Sequence, residues 1–295
     1  MSTWIKRIGF FLLTNFLIIT MISVVWSVLT MFFPQLQSTS MFGLAIFSLV
    51  WGMAGSLFGL MISKWSAKNL YGVQLIDENT THPDMRRLLN KVHGFARQAG
   101  LEKMPEVGIF ESMDVNAFAT GPSKNNSMVA VSSGLLQRMT DEEVDGVLGH
   151  EVAHIANGDM VTMTLIQGIV NAFVLFFSRI AGGLVASQVE ERNRPLIRML
   201  ANIVFQILFS LLGSIAVAYF SRMREFRADE GGARLAGKQN MISALQRLKS
   251  LSQLPYQGPE EDSLATMKIS SGGKNLMHLF TTHPPLEDRI AALKN

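Results

Sequence analysis

Five consecutive residues, His150-Glu151-Val152-Ala153-His154, have the types and spacing of a hydrolytic metal site. Residues four apart share a face of an α-helix, so both imidazoles can reach one ion. Two neutral histidine nitrogens suit a tetrahedral Zn²⁺ that keeps an open position for water. Glu151, beside the first histidine, is placed to take that water's proton as it attacks a carbonyl. With six histidines in the chain, chance gives such a five-residue pattern in roughly one chain of this length in a hundred. The flanks also specify a helix. Thr140 reads as an N-cap followed by Asp141, Glu142 and Glu143, then Val144, Val147 and Leu148 form an apolar face, and Gly158 ends the run.

A catalytic zinc needs a third protein ligand, and the absence of cysteine leaves His, Glu or Asp to supply it. The strongest candidate segment is Arg224-Glu225-Phe226-Arg227-Ala228-Asp229, whose two acids lie four apart on one helix face. One of them can bind the metal while the other orients a ligand imidazole. The competing reading is a solvated helix start in which Arg222, Arg224 and Arg227 pair with both acids. Spacing alone leaves the two open.

The elements that must hold these residues are membranous. Hydrophobic residues make up 48% of the chain and charged residues 17%, proportions of a membrane protein. A net charge of +3, evenly spread, gives no footprint for nucleic acid. Residues 8–63 contain no charge and divide at 34–40 into two runs, each long enough to span a bilayer. Lys6 and Arg7 precede the first run and Lys64 and Lys68 follow the second, so the positive-inside rule puts both ends in the cytoplasm. Trp4 and Trp65 lie where an interfacial belt would place them. The first run is too long, and lacks the small-residue cleavage site, for a signal peptide.

Two more apolar runs follow the histidine motif, at 161–178 and 199–220, the first of them carrying Gln167 and Asn171. If both span, the connection between them is extracytoplasmic. Its four arginines (Arg179, Arg192, Arg194 and Arg198) then oppose the positive-inside tendency. His154 lies shortly before run three and Glu225 shortly after run four, each within roughly 10 Å of a membrane face at 1.5 Å per helical residue. A hairpin of the two runs lets them meet.

The polar parts read as α+β. A helix is expected over 83–99 and strands over 106–110, 115–119 and 128–131, with Gly121-Pro122 and Asn125-Asn126 punctuating the last two as a hairpin. Helices follow over 222–235, 241–251 and 286–293, with a mobile loop over 257–274. His82, His93 and His278 have no constellation around them and read as surface residues.

At this point the chain resembles a family. His150-Glu151-Val152-Ala153-His154 with Ile155-Ala156-Asn157-Gly158-Asp159, then Glu225-Phe226-Arg227-Ala228-Asp229, is similar to the HtpX-type membrane zinc metalloproteases, relatives of the Ste24 CAAX proteases. Val115-Asn116-Ala117-Phe118-Ala119 and Thr282-His283-Pro284-Pro285 extend the resemblance over essentially the whole chain. It implies an α-rich membrane protein with about four transmembrane helices and an α+β zincin-like (gluzincin) catalytic domain. It implies one Zn²⁺ per chain on His150, His154 and Glu225, with Glu151 as general base and Asp229 supporting a ligand. It makes His283 a donor to the oxyanion, assisted by Arg289.

Asn116, Ala117, Phe118 and Ala119 are expected to offer an open strand edge to substrate, a mode that reads little side-chain identity. An ordinary half-buried strand has the same alternation. The implied organisation is a transmembrane hairpin (1–65), an α+β part with the histidine helix (66–160), a second apolar pair (161–220) and a C-terminal part with the third ligand (221–295). The implied function is zinc-dependent cleavage of misfolded or damaged membrane proteins, from the cytoplasmic side of a bacterial inner membrane, during stress. Its partners are then those substrates and the lipid bilayer, with no nucleic acid. The rivals are a site-specific processing protease and a non-catalytic scaffold with a structural zinc.

Overall fold

A computed structural model describes residues 27–28, 31–32, 41–252 and 281–295. The first apolar run, apart from Ser27, Val28, Met31 and Phe32, lies outside the described residues, as do Trp4, the loop expected over 257–274 and His278. The chain divides into two compact units, one of Met1–Leu60 with Thr162–Val217 and one of Met61–Val161 with Ala218–Asn295.

The described residues of the first unit are mostly helical and apolar. Among the described residues, three helices are long and apolar enough to cross a membrane: α1 (Met41–Leu70), α5 (Asp159–Ser187) and α6 (Arg194–Ala236). Glycine lets two of them touch: a Cβ on Gly52 would lie 2.4 Å from the backbone nitrogen of Ala172. Beside that contact Asn171 Nδ2 donates to Ser56 Oγ at 3.4 Å, and Gln167 Nε2 to Asn171 Oδ1 at 2.9 Å. Side chains of this kind hold helices together where water is absent.

Two sequence expectations change here. The helix expected over 222–235 is the continuation of α6, which runs unbroken from the apolar run. Arg179 is not in a connecting loop, because α5 extends to Ser187; its guanidinium sits 4.0 Å above the Phe47 ring. The connection itself, 188–193, holds Arg192 together with Glu190 and Glu191, while Arg194 and Arg198 lie in the first turns of α6.

The second unit is built on a four-stranded sheet, ordered β1 (Gln74–Leu75), β2 (Glu106–Phe110), β4 (Asn126–Ser132), β3 (Ala117–Ser123). β2 and β4 are parallel and the outer pairs antiparallel. β4 is buried on both faces, as alternation requires of a central strand: Val129 and Val131 face one cluster, Met128 and Ala130 the other. The larger cluster joins Leu88, Leu89 and Val92 of α2 (Pro83–Gln98) to Leu148, Val152 and Ile155 of α4 (Asp141–Asn157). A short α3 (Ser133–Arg138) starts where the Ser132 side chain accepts from Leu135 N–H. The smaller helices α7 (Lys238–Ser252) and α8 (Leu286–Lys294) share Leu245, Leu286 and Ile290.

Gly121-Pro122 turns out not to be the hairpin turn. β3 runs through both residues, with its register shifting between Thr120 and Ser123, and Gly121 takes φ +139° where a Cβ would strike the Asn126 carbonyl. A bulge is where a strand tolerates both glycine and proline.

Candidate metal centre

The helix that carries the motif is closed at both ends by its own sequence. Thr140 Oγ1 accepts from Glu143 N–H while Glu143 Oε2 accepts from Thr140 N–H at 2.8 Å, and Gly158 ends α4 in the left-handed conformation at φ +72°. α4 then meets α6 through small residues. A Cβ on Gly232 would lie 2.9 Å from the nitrogen of His150, and one on Gly231 would lie 2.6 Å from Cβ of Ala153. Backbones this close bring Asp229 and Glu225, about one and two turns earlier on α6, against the two imidazoles.

Nε2 of His150 and Nε2 of His154 face each other at 3.0 Å. Glu225 Oε2 is 3.6 Å from the first and Oε1 is 3.4 Å from the second. Two imidazoles and a carboxylate around a tetrahedral zinc, with bonds near 2.05 Å, are separated by about 3.3 Å. The donor triangle therefore has the right size. Glu225 is 1% exposed, and its Oε1 accepts no hydrogen bond among the described residues, although Arg224 Nη2 stands 3.4 Å away. An acceptor buried without a donor fits a cation. His150, His154 and Glu225 form the one such metal-competent group among the described residues.

Behind the donors is a second ring of charge. His150 Nδ1 lies 2.9 Å from Asp229 Oδ1, and His154 Nδ1 lies 2.7 Å from Asp159 Oδ2. Arg289 grips Asp229 with both arms of its fork, Nε to Oδ2 at 2.7 Å and Nη2 to Oδ1 at 2.6 Å. Burial pulls the Arg289 pKa down, but the Asp229 carboxylate outweighs it and the net shift is upward. In the metal-free protein burial likewise pulls His150 down, while the Asp229 and Glu225 carboxylates hold it up at about 9. An ion bound at Nε2 must displace that proton.

Most of the residues expected from sequence come together here. The solvated helix start is ruled out for 222–229, since Glu225 and Asp229 are both buried in mid-helix. Arg289, expected to assist at the oxyanion, is 4% exposed, with Nε and Nη2 on Asp229 and Nη1 3.4 Å from Glu225 Oε2. His283 Nδ1 is 3.0 Å from Glu225 Oε2, and its segment is tied to α6 by Arg222, which donates to the Thr281 carbonyl at 2.8 Å. Glu151 is half-buried and makes no hydrogen bond or ion pair among the described residues, though its charge acts on Arg289. Ala117, Phe118 and Ala119 lie on β3, the edge strand, and Asn116 just precedes it, its carbonyl accepting from Ser132 N–H.

Sequence reasoning gave no role to Asp159 and no weight to the glycines. Gly231-Gly232, directly after the acidic pair on a helix, was the available signal for a close crossing.

Buried nitrogen and carboxylate donors with an unpaired glutamate one residue away, in a chain with apolar spans, define a class: a membrane metalloprotease. Known proteins agree. Residues 81–295 match the model of Peptidase family M48. The chain is 52% identical to the "Protease HtpX homolog" of Bacillus licheniformis and 50% identical to that of Bacillus subtilis, covering 98% of this chain and 99% of each relative. "Protease HtpX" of Shewanella frigidimarina is 46% identical with the same coverage. Among solved structures, the crystal structure of S. mikatae Ste24p matches with a TM-score of 0.66 at 17% identity, over 99% of this chain and 67% of that one; the likeness is one of fold. The chain belongs to peptidase family M48, and within it to the HtpX-type membrane proteases.

Proposed function

We propose that this protein is a zinc endopeptidase that cuts misfolded or damaged membrane proteins at the cytoplasmic face of the bacterial inner membrane. The observation that carries the reading is the buried convergence of His150, His154 and Glu225 one residue from the unpaired Glu151. A cysteine-free set of two imidazoles and a carboxylate favours zinc among the ions such a site could take. Bound there, the ion supplies Lewis acidity to a scissile carbonyl and lowers the pKa of water.

The chain's own groups do the rest. Glu151 accepts the proton of the attacking water and returns it to the leaving amine as the C–N bond breaks. Asp229, held by Arg289, orients His150. His283 lies with Nδ1 on Glu225 Oε2, so it is as an imidazolium, whose two nitrogens both donate, that its Nε2 would donate to the oxyanion. β3 pairs with β4 on one side only among the described residues, so an extended substrate segment adds alongside residues 116–119. Backbone pairing of that kind accepts many sequences, as quality control requires.

The cytoplasmic assignment is supported by Lys64 and Lys68, the charges that follow the second apolar run. Both ion-pair with Glu106 of the catalytic unit, at 3.0 and 2.9 Å. By the positive-inside rule that end of α1 is cytoplasmic.

The test is Glu151→Ala. It should keep its zinc and its thermal stability and lose about 100- to 10,000-fold in cleavage of an unfolded membrane substrate. Cleavage at the wild-type rate would exclude this mechanism and favour a structural zinc. Cleavage of one defined motif among several unfolded substrates would point to site-specific processing instead.

A further inference from the structure

Asp159 is 1% exposed and sits five residues beyond the second histidine, across the left-handed turn at Gly158 that ends α4. Its Oδ2 is 2.7 Å from Nδ1 of His154, and its Oδ1 is 3.6 Å from Nη2 of Arg227. Burying a carboxylate is costly unless it is hydrogen-bonded, and here the imidazole is the close buried partner. The Arg227 side chain is 62% exposed and contributes little at that distance.

We propose that Asp159 is a positioning residue of the metal centre, fixing the His154 ring so that its Nε2 faces the ion. The arrangement duplicates the one at the first histidine. There Asp229 stands 2.9 Å from Nδ1 of His150, so each imidazole has a carboxylate on the nitrogen turned away from the donor triangle. A carboxylate at Nδ1 selects the tautomer with its proton on that nitrogen and strengthens the other as a ligand. The two supports reach the site by different routes: Asp229 comes from the same helix as Glu225, Asp159 from the first residue of α5. An acid at the start of α5 also suits the helix dipole, but that role needs neither burial nor aim at an imidazole.

The inference rests on the reading of His150, His154 and Glu225 as metal ligands, and its test separates the two. Full-length protein in detergent, carrying Glu151→Ala to prevent self-cleavage, is titrated with Zn²⁺ against a chromophoric chelator. Asp159→Asn and Asp159→Ser should weaken the Zn²⁺ Kd by about 10- to 100-fold. The melting temperature of the metal-free protein should stay near that of the parent, and Arg227→Gln should leave the Kd in place. Asp159→Asn that folds and binds Zn²⁺ as tightly as the parent overturns the proposal. So does failure of both Asp159 variants to fold where the metal-free parent folds, because the contact is then structural. A parent that takes up no Zn²⁺ overturns the ligand reading itself.

Discussion

In the apolar unit Leu200, Leu208, Leu211 and Leu212 are each 47–63% exposed, while in the catalytic unit Leu135, Leu148 and Leu245 are at most 1% exposed. Charge runs the other way. The catalytic unit buries Glu225, Asp229, Asp159 and Arg289 along with both motif histidines. The contrast shows two solvents acting on one chain. In water, removing leucine from the surface drives folding, and the resulting interior is dry enough that buried ions must be partnered. In lipid, leucine gains nothing by turning inward, so cohesion falls to close backbone contact, as at Gly52 on Ala172, and to side-chain amides.

Four experiments test that contrast, beginning with the most damaging change. Arg289→Met leaves the Asp229 carboxylate buried without its bidentate partner and should cost about 3–5 kcal/mol by chemical denaturation in detergent. A cost near zero would mean that the ion network in the catalytic unit is not structural. Leu148→Ala opens a cavity in the sheet–helix core and should cost about 2–5 kcal/mol, whereas Leu208→Ala should be close to neutral in thermal melts. Equal costs would show that Leu208 is covered after all.

Gly52→Ala should destabilise the apolar unit by about 1–3 kcal/mol, because its Cβ meets the backbone of Ala172. Gly55→Ala, which meets nothing within 4 Å, is the matched control and should be tolerated.

Glu106→Gln should have the smallest effect, about 0–1 kcal/mol and lost at high salt, since its pairs with Lys64 and Lys68 are partly solvated. Burial raises the Glu106 pKa, but the two lysines outweigh it and the net shift is downward. A depressed carboxylate contributes stability that is present above its unfolded pKa and lost as pH falls through its folded one. The difference between Glu106→Gln and wild type should therefore vanish on acidification, which melts at neutral and low pH will check.

Much of the molecule was legible because its signals are local. α4 was readable from Thr140, the three acids after it and Gly158, since caps act within a turn. The span-length helices were readable because lipid rewards length and apolarity without regard to partners. The hairpin was misread at Gly121-Pro122 because a glycine beside a proline marks a turn and a bulge equally. The grip of Arg289 on Asp229 was not legible, because the two lie 60 residues apart and no local pattern links them.

By itself the sequence determined the reaction. His150, Glu151 and His154 sit on one helix, so their chemistry follows from a spacing of four residues. Only the tertiary structure brings Glu225 to the two Nε2 atoms and sets Asp229 and Asp159 beside the Nδ1 atoms. Glu225, Asp229 and Asp159 are all carboxylates within reach in sequence terms. What separates them is the crossing of α4 and α6 at Gly231-Gly232 and the turn at Gly158. The crossing sets the Glu225 oxygens against the Nε2 atoms and Asp229 on Nδ1 of His150, and the turn sets Asp159 on Nδ1 of His154, a distinction of a few ångströms that no linear spacing contains.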